Sequence, residues 1–518
     1  MKFDLLMYNG SIVTVDESNP RARWAGIKDG KIEAVGSNSP PLMQSIKNVD
    51  LDGATLLPGL IDSHVHGTLT GLALKSSDLS EAKSKKQVLE AVSRHQSRGG
   101  TGNMVTAVNL AMSTMSKNEI PSAKELDEIS STQIIILFDK SLHGMVLNSL
   151  GIQEAGLQSG MVGVELENGH LTGTVTDDTS YYQGIRNLMK DSGEELLVGF
   201  QEAVCNEALK KGITSIHSLD GGDFVVDMPG WVINRKNLPI NVVNYWETMD
   251  FEEVTKYGLS RIGGCICLDG TRALHTMALF EPYRDRPSTR GFLYYSDDVI
   301  YQFIKEAHEK DMQCALHATG ERAIDQHINI LKQVILEQGD KDLRHRIEHF
   351  SMPTEKHIEW AVEMNLALPM QPSFSMEWDE GAGSLYKTRF GKERASRVEP
   401  LSKIVRSGGK VCGGSDSPVT KLDSLYGIDA CVNNPDPSRR IPLMEAIRSF
   451  TINNAWAAHE DDVRGSIEVG KVADLVLLDM DLEKTKKSVQ EASTRATFVK
   501  GNLAYENMEK PLMWSNSK

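Results

Sequence analysis

Nine residues near the start of the chain decide its fold: Pro58-Gly59-Leu60-Ile61-Asp62-Ser63-His64-Val65-His66. The stretch is largely apolar and ends in two histidines spaced two residues apart, which predicts a buried strand. Because successive side chains of a strand point to opposite faces, His64 and His66 project from the same face. Two imidazoles side by side at a strand end are able to hold one divalent metal ion. The stretch therefore predicts a strand that opens a metal site.

The composition of the chain argues against several other classes of protein. Of its 518 residues, 40% are hydrophobic and 25% are charged, and the formal net charge is −15. This acidic balance, without a run rich in Lys and Arg, argues against a nucleic-acid partner. No segment approaches the roughly 18–20 consecutive apolar residues of a membrane span, and no secretory signal is recognisable. With only six cysteines, the pattern is that of a cytoplasmic protein with reduced thiols.

The two ends of the chain share one pattern. Short alternating strands separated by turns occur in residues 1–58 and again in 462–518, which predicts one small β-sandwich built from both ends. Between them strand-like and helical segments alternate, which is typical of parallel α/β architecture. Eight strands are predicted there, at 60–66, 213–219, 240–246, 263–269, 312–318, 345–350, 366–371 and 410–416. We expect an α/β fold with a (β/α)8 TIM-like barrel over 59–461, and an insertion at about 68–195 over the barrel mouth.

Residues able to bind metal lie at the ends of three other predicted strands. They are His317, His349 and Asp416, each preceded by an apolar run. A lone His or Asp at such a position is usually a polar residue with structural partners. The carboxyl ends of barrel strands converge on one mouth, however, so residues at several strand ends meet there. We therefore predict that these three residues join His64 and His66 in a single site.

The motifs of the chain resemble those of the amidohydrolase superfamily. The stretch 58–66 is similar to the metal-binding start of that superfamily. The other matching motifs are 316–325, 344–349, Gln371-Pro372, Ser415-Asp416 and 465–476. Their details are similar to the YtcJ-like subgroup, which includes N-substituted formamide deformylase. The match runs from the first strands to about residue 480, which is nearly the whole chain.

The resemblance implies a role for each of the five residues. By it, His64 and His66 end the first barrel strand and bind a divalent metal, with zinc as the expected ion. His317 and His349 end the fifth and sixth strands and complete the shell around one or two ions. Asp416 ends the eighth strand, contacts the metal and acts as general acid and base. Metal-activated water then attacks a carbonyl carbon, and Asp416 moves its proton to the leaving nitrogen.

One position departs from the pattern of the subgroup. Where the subgroup has a lysine that can be carboxylated to bridge two metals, this chain has Cys265, in Gly264-Cys265-Ile266-Cys267-Leu268-Asp269. In a strand, Cys265, Cys267 and Asp269 would share one face. A thiolate is a good zinc ligand, but cysteine is several bonds shorter and needs a shift of metal or strand to reach the bridging point. The alternative is a small buried residue beside a single metal, so the metal count stays open.

Four further residues are candidates for binding the substrate. His143 lies in a His-x4-Asn-Ser element that resembles the one over the pocket of the subgroup, and a structural histidine is the alternative. His217 ends the second predicted strand. Arg322 is suited to a substrate carboxylate, with a structural salt bridge as the alternative. Trp378 shapes an apolar pocket in one interpretation and packs in the core in the other.

These observations predict a metal-dependent hydrolase that acts on a carbon–nitrogen bond other than a peptide bond. The predicted substrate is a small molecule with an N-acyl or N-formyl amide. One fold hosts many chemistries, so deamination of a heterocycle and metal-dependent decarboxylation or hydration are alternatives. A catalytically silent scaffold is a further alternative, which only the missing lysine suggests. An acidic surface and this fold are compatible with a homodimer, by analogy alone.

Overall fold

The computed structural model describes residues 2–102, 104–189, 194–220, 237–379, 383–484 and 488–516. The chain begins with five strands, which are β1 (Phe3–Val13), β2 (Arg21–Lys28), β3 (Lys31–Gly36), β4 (Ser45–Asp50) and β5 (Thr55–Pro58). β1 pairs antiparallel with β2 and parallel with β4 and β5. Its alternating apolar residues Leu5 and Met7 are buried in one core, as the period of two predicts, and Ile12 joins them because the register shifts between Tyr8 and Ile12.

The next strand, β6 (Leu60–Val65), is followed by helix α1 (Gly67–Leu74). All six residues of β6 are buried. A strand that is covered on both faces belongs to a parallel sheet inside an α/β fold, which explains why its sequence is a nearly continuous apolar run.

A separate α/β segment follows α1. Its elements are β7 (Ser77–Asp78), α2 (Lys85–Ser97), β8 (Met104–Leu110), α3 (Ala123–Asp127), β9 (Ile134–Asp139), β10 (Met145–Leu147), α4 (Ser149–Glu154), β11 (Val164–Glu167), β12 (His170–Val175) and α5 (Asp178–Met189). Its six strands form one sheet in the order β11-β12-β10-β9-β8-β7. This sheet lies within the stretch that the sequence predicts as an insertion, about 68–195.

Strands and helices then alternate to residue 457. The elements are α6 (Glu194–Lys210), β13 (Ile213–Ser218), β14 (Asn241–Asn244), α7 (Phe251–Lys256), β15 (Arg261–Ile262), α8 (Asp297–Glu309), β16 (Gln313–Ala318), α9 (Glu321–Gln338), β17 (Arg346–His349), α10 (Glu355–Glu363), β18 (Leu368–Met370), α11 (Ser373–Trp378), α12 (Leu385–Ala395), α13 (Leu401–Arg406), β19 (Val411–Gly413), α14 (Ser424–Val432), α15 (Leu443–Ser449) and α16 (Ile452–Ala457).

The strands of this region are parallel to one another and to β6. They form three groups, β14-β13-β6, β15-β16-β17 and β18-β19. Parallel bridges connect the groups, between Trp246 and Ile262, between Arg346 and Ala367, and between Val65 and Ser417. The arrangement is a TIM-barrel-type fold of mixed α/β content, which brings the carboxyl ends of the strands to one face.

The predicted fourth strand, 263–269, is wrong. The strand β15 ends at Ile262, and beyond it only Cys267 makes a β-bridge, with His317. The cause is the pair Gly263 and Gly264, whose φ angles are 94° and 57°. Both lie in the left-handed region, which an extended strand does not use. The simple alternation of faces over 265–269 therefore does not apply.

The chain ends in four strands, β20 (Leu475–Leu478), β21 (Thr494–Val499), β22 (Asn502–Glu506) and β23 (Met513–Asn516). β20 pairs antiparallel with β5 and β21, and β23 pairs antiparallel with β4. Strands from both ends of the chain thus share one nine-stranded sheet. In the parts of the chain that the structure describes, no helix is long and apolar enough to cross a membrane.

Candidate metal centre

The structure brings the five predicted strand-end residues together. His64 lies in β6 and His66 directly follows it, His317 lies in β16, His349 ends β17, and Asp416 lies three residues beyond β19. All five are buried, with at most 7% of any residue exposed. They meet because the strands that carry them end on one face of the barrel.

Asp416 stands between the histidines. Its Oδ1 atom lies 3.4 Å from Nε2 of His64 and 3.1 Å from Nε2 of His66. Its Oδ2 atom lies 3.9 Å from Nδ1 of His349. The rings of His317 and His349 stand edge to face, with centroids 4.3 Å apart.

Cys265 lies among the same groups. Its Sγ atom is 3.7 Å from Nε2 of His64, 3.8 Å from Nδ1 of His317 and 3.7 Å from Nε2 of His349. Burial raises the pKa of the Cys265 thiol well above its usual value, and the neighbouring Cys267 and Glu247 raise it further. Cys265, which the sequence predicts in the fourth strand, therefore faces the histidines, although the segment that carries it is not a strand.

Three of the histidines are oriented by a second hydrogen bond. Nδ1 of His64 donates to Oε2 of Glu348 at 2.7 Å, and Nδ1 of His349 donates to Oε1 of Gln371 at 2.8 Å. Nδ1 of His66 faces the carbonyl oxygen of Leu219 at 3.2 Å. Each bond leaves Nε2 pointing to the centre, which is the arrangement that metal-binding histidines use in proteins.

The spacing of these atoms fits a tetrahedral zinc ion. Zinc lies about 2.0–2.1 Å from nitrogen and about 2.3 Å from sulfur, so two of its ligands lie about 3.3–3.7 Å apart. The contacts of Asp416 with His64 and His66, and those of Cys265, range from 3.1 to 3.8 Å. Three groups have all their ligand atoms within 4.8 Å of one another: His64, His66 and Cys265; Cys265, His317 and His349; and His64, His349 and Asp416.

The charges of the site suit a cation. Burial alone would raise the pKa of Asp416, but His64, His66 and His349 outweigh it and hold that pKa well below its usual range. Burial and the neighbouring His64 lower the pKa of His349 to about 3, and burial with His349 lowers that of His317. Asp416 is therefore an anion and these two histidines are neutral, which are the forms that bind metal. Burial lowers the pKa of His64, but Asp416 and Glu348 outweigh it and raise that pKa to about 9, so His64 releases a proton when a cation binds.

A small cavity opens beside the histidines, in two adjoining compartments of about 40 and 20 Å³. His143 and Trp378 are among the residues that line the larger compartment. The ring of His143 lies 5.9 Å from that of His317, and the ring of Trp378 lies 4.7 Å from that of Phe374. A larger cavity of about 490 Å³ lies beside β14 and carries none of the predicted site residues.

Two of the predicted substrate residues are not among the described residues that line the two compartments. His217 is 1% exposed and packs beneath the site, where its Nδ1 accepts a hydrogen bond from Nη1 of Arg346 at 2.9 Å. Its strand turns the side chain into the barrel interior rather than toward the cavity. Arg322 lies in the first turn of α9 and is not among the described residues that line either compartment. Proximity to His317 in sequence therefore does not place Arg322 on the wall of the cavity.

Sequence reasoning missed four side chains around the centre. Glu348 and Gln371 orient the histidines, Arg272 lines the larger compartment and Glu247 lines the smaller. Glu247 follows Asn244-Tyr245-Trp246 at the end of β14, so the rule that found the histidines also applies to it. Glu348 and Gln371 lie in two of the motifs that match the family, but the motifs alone assign no role to these two residues. Arg272 has no comparable signal, because it lies on a loop after the glycine turn.

The chain is similar to known proteins over nearly its full length. A model of the amidohydrolase family matches residues 47–505. The putative amidohydrolase YtcJ of Bacillus subtilis is 26% identical, over 97% of this chain and 99% of the relative. The N-substituted formamide deformylase of Arthrobacter pascens is 24% identical, over 97% of this chain and 98% of the relative. The resemblance read from the motifs is confirmed.

The fold is similar to that of a solved structure. An uncharacterized metal-dependent hydrolase from Pyrococcus horikoshii superposes with a TM-score of 0.76 at 22% identity, over 93% of this chain and 98% of that chain. At this identity the likeness supports the TIM-barrel-type fold alone. With the family model covering most of its length, the chain belongs to the amidohydrolase family and is a hydrolase that acts on carbon–nitrogen bonds.

Proposed function

We propose that the protein hydrolyses a non-peptide amide of a small molecule, an N-acyl or N-formyl bond, with the help of bound zinc. The single observation that carries the proposal is the convergence of His64, His66, His317, His349 and Asp416 at the mutual distances of metal ligands. The name of the deformylase relative says that it acts on an N-substituted formamide, which favours an N-formyl or N-acyl substrate here.

His64, His66, His317 and His349 would hold the metal, together with Asp416. A divalent cation at this position supplies Lewis acidity, which activates water and polarises a carbonyl oxygen. Asp416 is anionic and lies against His64 and His66, so it is placed to accept a proton from the attacking water. In the second half of the reaction Asp416 returns that proton to the leaving nitrogen, as general acid–base catalysis requires.

The walls of the cavity place the substrate. His143 faces His317 and is positioned to donate a hydrogen bond to the substrate carbonyl or its tetrahedral successor. Phe374 and Trp378 form an apolar wall on the other side, and Phe374 stacks on His349 with ring centroids 6.3 Å apart. A flat substituent next to the amide suits this wall, and the guanidinium of Arg272 lies over both rings, 5.0 and 5.7 Å from their centroids.

Metal removal and product analysis test the proposal. The purified protein is treated with a chelator, dialysed, and assayed on N-formyl and N-acetyl derivatives of small aromatic and aliphatic amines. We expect activity to vanish and to return with Zn²⁺, with formate or acetate and a primary amine released in equal amounts. Ammonia from heterocycles without amide cleavage would instead favour deamination, and no turnover by the metal-loaded protein would overturn the proposal.

The role of Asp416 is tested by Asp416→Asn. The substitution keeps the shape of the side chain but removes the proton acceptor, so kcat should fall by about 10²–10⁴-fold. Asp325→Asn is the matched control, because Asp325 lies on helix α9 and pairs with His357 away from the cavity. An Asp416→Asn variant with unchanged kcat would exclude the acid–base role.

A homodimer and a cytoplasmic location stay predictions.

A further inference from the structure

Cys265 belongs to two groups of potential ligands at once. In one group its Sγ atom lies with ring nitrogens of His64 and His66, and in the other with those of His317 and His349. These two groups have no other member in common. His64 and His349 also fall in a third group with Asp416, but Cys265 is the ligand that both histidine pairs share, and a shared ligand occupies the position of a bridge.

The backbone before Cys265 brings this short side chain to the centre. After β15 ends, the chain turns through Gly263 and Gly264 with positive φ angles and passes close to its neighbours. A Cβ atom on Gly263 would lie 2.3 Å from the carbonyl oxygen of Ala315, and one on Gly264 would lie 2.8 Å from Cβ of Glu247. Only glycine permits this close approach of the backbone, and the turn holds Sγ of Cys265 at 3.7–3.8 Å from ring nitrogens of His64, His317 and His349.

We propose that the thiolate of Cys265 bridges two metal ions, one held with His64 and His66 and the other with His317 and His349. The inference rests on the proposed metal-dependent function and adds the number of ions and the bridging group. On binding, the S–H bond breaks, two sulfur–metal bonds form from sulfur lone pairs, and the proton leaves to solvent.

The chemistry of the donors selects the ions. Two imidazoles and a thiolate at each position suit Zn²⁺ and other thiophilic divalent ions, whereas Mg²⁺ and Ca²⁺ prefer sets of oxygen ligands. Asp416 adds one carboxylate beside His64 and His66, so the two positions are not equivalent. The position next to Asp416 has the more complete set of ligands.

Metal stoichiometry tests the bridge directly. The protein, purified and loaded with Zn²⁺, is analysed by elemental mass spectrometry beside Cys265→Ser and the control Cys267→Ser. Cys267 is the neighbouring buried thiol, but its Sγ donates to the carbonyl oxygen of Cys265 at 3.6 Å and belongs to none of the ligand groups. We expect about two equivalents in the unaltered protein and in Cys267→Ser, and one or fewer in Cys265→Ser.

Cobalt spectroscopy provides a second measurement, and its band in the unaltered protein does not depend on whether a variant folds. The protein loaded with Co²⁺ should show a sulfur-to-cobalt charge-transfer band that Cys267→Ser keeps and Cys265→Ser loses. One equivalent of metal in the unaltered protein, or an unchanged band and stoichiometry in Cys265→Ser, overturns the bridge.

The two proposals fail in different ways. A protein with two metals and a thiolate band but no amide hydrolysis keeps the bridge and loses the proposed function. A protein that hydrolyses amides with a single metal, equally well after Cys265→Ser, keeps the function and loses the bridge.

Discussion

Two chain segments that face the same centre are built in different ways. β6 is a hydrogen-bonded strand of six buried residues, and it presents His64 from within that strand, where the register with β13 shifts between Asp62 and Val65. The segment after β15 is a glycine turn, and it presents Cys265 from a backbone that is not a strand. The two side chains nevertheless meet, with Sγ of Cys265 3.7 Å from Nε2 of His64. Different backbones thus bring an imidazole and a shorter thiol to one centre.

The largest effect should come from the strand β6, which carries His64. His64→Ala removes a nitrogen that lies within 3.7 Å of both Asp416 and Cys265, so no other residue replaces it. We expect kcat/KM to fall by about 10³-fold or more, because the Lewis acid supplies several kcal/mol of transition-state stabilisation. Elemental analysis should show loss of metal. His459→Ala, a substitution of an exposed histidine remote from the cavity, is the control. A His64→Ala enzyme with a full complement of metal would contradict the assignment.

The glycine turn is tested by Gly264→Ala. The substitution combines a left-handed backbone with a Cβ that would lie 2.8 Å from Glu247, so Cys265 is displaced from the histidines. Gly258→Ala is a matched control, because Gly258 has a similar φ of 61° and nothing within 4 Å of its added Cβ. The control should lower the free energy of unfolding by about 1–2 kcal/mol, and Gly264→Ala by more.

Only Gly264→Ala should also lower the metal content. Denaturant unfolding gives the stability of each variant, and elemental analysis gives its metal. Equal stability losses and full metal content in both variants would mean that the close approach at Gly264 has no role in placing Cys265.

The same contrast explains what the sequence could predict. Side-chain alternation and the convergence of strand ends are general rules, so they predicted the meeting of His64, His66, His317 and the others. The turn at Gly263 and Gly264 breaks the alternation, and the neighbours that exclude a Cβ there are distant in sequence. The strand prediction therefore failed at 263–269, although the two glycines were visible in the sequence.

The substrate residues show a second limit of prediction. His217 precedes a strand end by one residue, and that single step turns its side chain to the interior beneath Arg346. Arg322 follows His317 closely in sequence but is not among the described residues that line the cavity. A period of two distinguishes the faces of a strand, yet it does not tell which residue is the last to face the mouth.

A smaller effect is expected when the residue that orients a histidine is replaced, rather than the histidine itself. Gln371→Leu removes the acceptor that holds Nδ1 of His349, while the ligand nitrogen stays in place. Metal affinity, measured by competition with a chelator, should fall by about 10–100-fold. Gln333→Leu, on the exposed face of α9 where its partner is Glu337, is the control and should leave the affinity unchanged. Equal affinities in the two variants would mean that His349 is held by packing alone.

The smallest effects concern binding of the substrate, and they test the predicted substrate roles of Trp378 and Arg322. Trp378 lines the cavity and packs edge to face on Phe374, so Trp378→Ala should raise KM for an aromatic amide by about fivefold, which corresponds to about 1 kcal/mol. Arg322 lies outside both compartments, so Arg322→Ala should change kcat/KM by less than about twofold, as a surface substitution does. Steady-state kinetics on an N-formyl amide and on its carboxylate-bearing analogue measures both variants. If Arg322→Ala selectively lost the carboxylate substrate, the helix start would contact the substrate after all, and the boundary of the cavity would have to be drawn further from the histidines.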